Sequence, residues 1–446
     1  MYAKHDNRIQ FEVTTPQSSW KDTALVLLAL VYSGNPAPGR VIPEEPQLAL
    51  LALFFFLLLI QRSRRPFSLV FVVVGTIFAG ILLAQCIDFS FYPFVTMAGF
   101  FVRLFIGYAL IRLVNNFPLT FVRAMVVLAL LSFAFYIPYI LLSMVGISVE
   151  GIIWRVAELL GTASISRRPL FLHTFLRDFT PRNSGMFWEP GAFQGYLILA
   201  LIFLAFVKHD TPRKQYVRSL QILCAGVLTT LSTTGYIALA LIPLLHYDWR
   251  TQNRNQTLFR ILVGVYLVLP LLIGSTFYAY KTLPFLGEKI DSQLETLDRR
   301  EGRWYRGRMG SLVFDWEYIQ QRPLTGWGLH SSTRYALHPF MESSEGMGNG
   351  MSDFTAKLGV LGFLTWIVAV YQAFRRLSGG NRRASALVCG ILLLVLQGEC
   401  FLGYPIFIGL AFVGPVPALR SRRGTSIIRS RSKLIPSAAK PHVYES

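Results

Sequence analysis

Charge is what this sequence has least of. Asp, Glu, Lys and Arg make up 15% of its 446 residues, against roughly 25% in a soluble domain. Acids are the scarcer sign, 24 against 43 bases. Stretches such as Leu48–Ile60, Val70–Ala84 and Ile261–Ile273 carry no charge at all. Cysteine is sparse too. Its four copies, Cys86, Cys224, Cys389 and Cys400, lie in or beside apolar runs at no metal-site or disulfide-framework spacing. The short alternating segments of a membrane barrel are missing, and so is an internal repeat of the kind inverted-repeat transporters carry. No small-residue cleavage site follows the polar N-terminus convincingly, so no cleaved signal peptide is expected.

What remains is apolar. The chain is 53% hydrophobic with mean hydropathy +0.46, and its long continuous runs define an all-α polytopic membrane protein. About twelve spans can be placed, near 22–34, 46–60, 67–87, 91–111, 121–145, 191–207, 217–231, 234–247, 258–280, 353–374, 384–399 and 402–418. A net charge of +19 would suggest nucleic acid in a soluble protein. Here Lys and Arg crowd alternate loops (61–65, 112–123, 208–218, 246–260, 375–383), while the other loops balance acid with base. That is the positive-inside bias, so no nucleic acid is needed and both termini are expected in the cytoplasm. The basic tail, residues 420–446, reads as an anchor on anionic lipid.

The whole chain, 1–446, therefore reads as one integral membrane domain with two large outer loops, 146–189 and 281–352. Both look structured. EGIIWRVAELLG (Glu150–Gly161) and GRMGSLVFDWEYIQQ (Gly307–Gln321) have helical amphipathicity, the second with Leu312, Trp316 and Ile319 on one face. Two short spans meet at LSTTGY (Leu231–Tyr236), a polar turn whose backbone needs partners, such as a water-filled cavity open to the outer face.

Chemistry gathers at the loop ends. RNSGMFWEPGAF (Arg182–Phe193) sets Arg182, Gly185, Trp188 and Glu189 on the lip of an apolar helix. Glu189-Pro190 reads equally as a helix start, where an acid is favoured by the dipole, and Arg182 as an interfacial anchor. Together an arginine and a glutamate here could bind an anion and take up a proton, with Trp188 offering a face for a sugar. In the second loop Arg303, Arg306 and Arg308 cluster, and arginine suits bidentate phosphate contact; a solvated basic face is the plainer alternative. GWG (Gly326–Gly328) surrounds Trp327, His330 and His338 are candidate bases, and Asn349 opens NGMSDFTAKLGVLG. Arg103 lies mid-span, where an arginine is either functional or snorkelling.

These motifs, RNSGMFWEPGAF, LSTTGYIALALI, Arg308 followed by PLTGWG, and GNGMSDFTAKLGVLG, occur in the order seen in the O-antigen polymerase and O-antigen ligase superfamily, which the chain resembles over Arg182–Gly362. The resemblance implies a bacterial inner-membrane glycosyltransferase that uses undecaprenyl-pyrophosphate-linked glycans on the periplasmic face without metal or other cofactor. Membrane lipids and a chain-length regulator are further implied partners. By motif position Arg182 and Arg308 would hold the pyrophosphate and Glu189 would serve as base. Arg303, Arg306, Gly185, Trp188, Trp327, Asn349 and His338 would line the substrate. The ligase branch places a histidine immediately before the asparagine of the last motif; here that position is Gly348. The substitution favours a polymerase of surface or secreted polysaccharide over a ligase, with a lipid-carrier transporter as the reading from another class.

Overall fold

The computed structural model describes residues 19–62, 67–164, 167–176, 182–246, 307–338 and 348–414. Arg303, Arg306, the span expected at 258–280 and the basic tail lie outside them. In chain order the helices are α1 (Trp20–Gly34), α2 (Pro36–Val41), α3 (Glu44–Arg62), α4 (Leu69–Phe89), α5 (Phe94–Leu113), α6 (Phe117–Met144) and α7 (Glu150–Leu159). A hairpin of β1 (Arg167–Pro169) and β2 (Thr174–Leu176) follows, with Arg167 opposite Leu176 and Pro169 opposite Thr174. Then come α8 (Pro190–Phe206), α9 (Arg213–Thr229), α10 (Thr233–His246), α11 (Arg308–Gln321), the single turn α12 (Ser331–Arg334), α13 (Gly350–Leu377), α14 (Arg382–Gly398) and α15 (Pro405–Gly409). Five of these, α3 to α6 and α13, are long and apolar enough to cross a membrane.

α8 is the axis of the bundle. Every residue from Phe193 to Leu204 is buried, as expected of a helix apolar on all sides. It packs against α6, α9, α10 and α14, and Tyr196 ties it to α1 through a 2.6 Å bond from its hydroxyl to the Ser33 carbonyl. At 17 residues it is roughly 25 Å long. It is therefore shorter than a full hydrocarbon thickness.

Two expectations change. Over its described part, 402–414, the last run is not a continuous helix. Phe401–Gly403 is a 3-10 turn, α15 lasts five residues, and Leu410–Phe412 is a second 3-10 turn. Tyr404 is extended because the residue before a proline is pushed out of the helical region. Second, α11 does not bury Leu312 and Trp316. Its inward face is Ser311, Phe314, Asp315, Tyr318 and Ile319, and Trp316 is exposed. Just before the α9–α10 turn, the last residue of α9 has a protein partner. Asn183 donates through its backbone to Thr229 O (3.1 Å) and through Nδ2 to Thr229 Oγ1 (3.0 Å).

α13 is broken where the second loop enters it. Gly359 has φ +69°, a left-handed conformation that costs other residues a clash with their own Cβ. The break frees backbone groups, and loop 323–328 takes them. Val360 N–H donates to Pro323 O at 2.7 Å, and Trp327 and Gly328 N–H donate to Ala356 O and Lys357 O, both at 2.9 Å. A Cβ on Gly359 would run into the Leu324 carbonyl, so PLTGWG and GVLG dock backbone to backbone. A buried Gln85 amide from α4 seals the junction at Thr325 O and Lys357 O.

Candidate active site

The N-termini of α8, α10, α11 and α13 meet at one end of the bundle, the end that the loop charges assign to the outside. Their meeting point is Glu399, the residue that follows α14. Its carboxylate is buried, 10% exposed. Trp188 Nε1 donates to Oε2 at 3.3 Å, and Arg308 Nη2 stands 3.6 Å from Oε1. Glu189 faces it within hydrogen-bonding reach. Burial, with the Glu189 carboxylate beside it, pushes the Glu399 carboxyl well above the usual carboxylate range; Arg308 and the Trp188 bond oppose this. Glu399 Oε1 has no hydrogen-bond partner among the described residues. A buried acceptor in that state is costly, and an incoming hydroxyl or a proton would relieve it.

Each neighbour is fixed by its own element. Glu189 occupies the N-cap position of α8 with extended backbone but makes no capping bond. Its side chain turns instead towards Glu399 and towards Arg167 of β1, 3.8 Å away. Gly191, the second residue of α8, leaves the space the pair occupies; a Cβ there would overlap Glu399 Oε1 and come within 3.2 Å of Arg308 Nη2. Arg308 is the first residue of α11, and its Nη1 reaches Thr234 Oγ1 at the start of α10 (3.5 Å). Gly350 brings α13 against the Glu399 carbonyl and Cys400 Cα. Four motifs distant in sequence thus share one centre.

Behind it, a buried charge network locks α11 to α13. Arg334, 1% exposed, pairs with Asp315 of α11 and, at 3.4 Å, with Asp353 of α13. Asp353 also takes Lys357 Nζ at 2.6 Å, and Ser352 donates to Asp315. Such a network is worth little against an apolar core but is costly to break, so it fixes how Arg308 is presented.

The expected residues are distributed as follows. Trp188, Glu189 and Arg308 come together around Glu399. Asn349 caps α13, accepting from Ser352 N–H at 3.1 Å. Gly185 takes φ +52° and packs on the Phe193 ring. Arg182 is half-buried, one residue before the anchored Asn183. Trp327 is buried away from this centre; it donates to Tyr318 O at 2.8 Å and packs on Phe89. His338 lies beside Tyr318 and Glu317 (3.1 and 3.6 Å) with its ring over Phe314. His330 caps α12. Gly348 bonds through its N–H to Ser311 Oγ at 2.8 Å. Among the described residues no group of three His, Cys, Asp or Glu side chains could hold a metal.

Sequence reasoning missed Glu399 and Thr234. A signal for the first was present: Glu399 is the only acid between Arg375 and the tail, and it falls between two apolar runs. Asp315, Arg334 and Asp353 carried no such signal.

Fold and site define a helical membrane protein with a charged, carboxylate-centred site at one end of its bundle. Residues 219–367, about a third of the chain, match the family model described as O-antigen ligase. That match bears out the resemblance to the O-antigen polymerase and ligase superfamily, and the matched region contains Thr234, Arg308, Arg334, Asp353 and the Gly359 break. No curated protein matches the sequence.

Proposed function

We propose that this protein is a glycosyltransferase of the bacterial inner membrane. On its periplasmic face it joins undecaprenyl-pyrophosphate-linked oligosaccharide repeats into a surface or secreted polysaccharide. The observation that carries the reading is the convergence of Arg308, Glu189 and Trp188 on the buried Glu399.

The chemistry suits that cluster. An acceptor sugar hydroxyl attacks the anomeric carbon of the donor. The carbon–oxygen bond to pyrophosphate breaks, and its electron pair leaves on the polyprenyl pyrophosphate. Arg308, with Arg182, meets the negative charge that develops there, so the reading calls for no metal. The hydroxyl proton goes to Glu189. Two carboxyls in hydrogen-bonding reach share a proton. Burial puts that proton on Glu399, 10% exposed, and Glu189, 33% exposed with Arg167 nearby, is the carboxylate placed to act as base. Trp188 offers the sugar a face, although its own face is partly taken by Tyr404, whose ring centroid is 4.7 Å away.

A second reading has its own support: the family model is described as a ligase, which would move finished glycan to another acceptor. Gly348 stands against it, because a glycine offers no side chain where the ligase branch has a histidine. Purified protein in lipid vesicles, given lipid-linked single repeats alone, tests the choice. A ladder of carrier-linked oligomers is expected. Unchanged single repeats, together with transfer to an added non-carrier acceptor, would favour the ligase.

A further inference from the structure

A cavity of about 350 Å³ is bordered by the turn that follows Glu399, through Cys400, Leu402, Gly403 and Tyr404. Its walls are of two kinds. Phe100, Phe354 and Ile408 are apolar; Arg103, Lys357, Tyr404, Glu44 and Asp353 are not. That mixture, at a volume typical of small-ligand sites, suits a molecule with a charged head and a hydrocarbon body.

Arg103 is nine residues into α5, roughly 14 Å along its axis. An arginine at that depth is costly and usually marks a ligand or ion path. Its partner is Glu44, at the very start of α3 and 61% exposed, 2.5 Å away. Exposed pairs of this kind contribute little, so an anion can displace Glu44 into solvent. Lys357 has three ammonium donors and gives one to Asp353, whose charge is already shared with Arg334. With Glu44 swung out, Arg103 leaves the cavity one positive charge in excess.

The cavity and the carboxyl pair share a wall. Tyr404 lines the cavity and stacks on Trp188, which donates to Glu399. We infer that this cavity binds the diphosphate headgroup of a second polyprenyl lipid, the one carrying the acceptor glycan, between Arg103 and Lys357. The inference rests on the polymerase reading, in which both reactants are lipid-linked. It places one diphosphate at Arg308 and the other at Arg103 and Lys357, the two sites joined through Tyr404, Trp188 and Glu399.

Native mass spectrometry of the full-length protein tests it, with undecaprenyl pyrophosphate in one arm and inorganic pyrophosphate in the other. Wild type should carry two lipids per chain. Arg103→Gln/Lys357→Gln should carry one, and so should Arg308→Gln. Leu329→Trp, which fills the cavity without changing charge, should also carry one, so lost binding is separable from lost folding. Two lipids retained in both cavity variants would overturn the inference and leave the functional reading intact. No lipid on the wild type would overturn both. Inorganic pyrophosphate occupying the cavity as readily as the lipid, and lost in the double variant, would overturn the lipid assignment.

Discussion

Glu189 and Glu399 are near neighbours with opposite expected responses to one substitution. Glutamine resembles a protonated glutamate in shape and donor capacity and cannot ionise. Glu189→Gln removes the base, and a positioned base contributes typically 10²–10⁴-fold, or about 2.7–5.4 kcal/mol of barrier. Its stability cost should be small. The Arg167 pair is long and partly exposed, 3.8 Å at 39% and 33% exposure, worth at most about 1 kcal/mol. There is no capping bond to lose, and the dipole term is about 0.3–1 kcal/mol. Glu399→Gln keeps an acceptor for Trp188 and a donor for Glu189, so its rate should stay within about tenfold of wild type. The assay is elongation of lipid-linked repeats by purified variants, with thermal unfolding measured on the same samples. Equal losses in the two variants, or an active Glu189→Gln, would refute the division of roles.

The same pair sets a pH dependence. Glu399 is raised in the folded state, so the unfolded chain releases its proton first, and wild-type stability declines as pH rises from about 4.3 through the raised value; Glu399→Gln should lack that decline, and parallel unfolding curves across pH would contradict it. Arg334→Ala leaves Asp315 buried without its cation and Asp353 with Lys357 alone, a change expected to cost about 3–5 kcal/mol, seen as a large drop in unfolding temperature with inactivity. Arg308→Lys and Arg182→Lys keep charge but lose the planar fork. Each should lose most elongation activity while unfolding normally, and full activity in both would show that charge alone suffices.

Where a property follows from continuous composition, it could be read in advance. Most runs without charge among the described residues are helices that end within a few residues of their expected bounds, for instance Pro190–Phe206 for 191–207. Glu189, Trp188 and Arg308 were legible because each lies in a motif at a helix start. Glu399 was not, since one acid in an apolar stretch has no pattern until folding brings Gly191 and Arg308 beside it. α11 misled because it buries Ser311 and Asp315 for a polar network and leaves Trp316 outside, against the usual sense of an amphipathic face. The partners Asp315, Arg334 and Asp353 stand nineteen residues apart in turn, a spacing no helix or strand period marks. The run at 402–418 looked continuous because hydropathy does not register what Pro405 does to the residue before it.

The central claim is that the enzyme lengthens glycan on its carrier. The glycan left on undecaprenyl pyrophosphate when the gene is deleted measures this most directly, resolved by mass spectrometry of extracted carrier lipid. Single repeat units and no longer species are predicted. Long polymer stranded on the carrier would contradict the account and assign the protein to ligation.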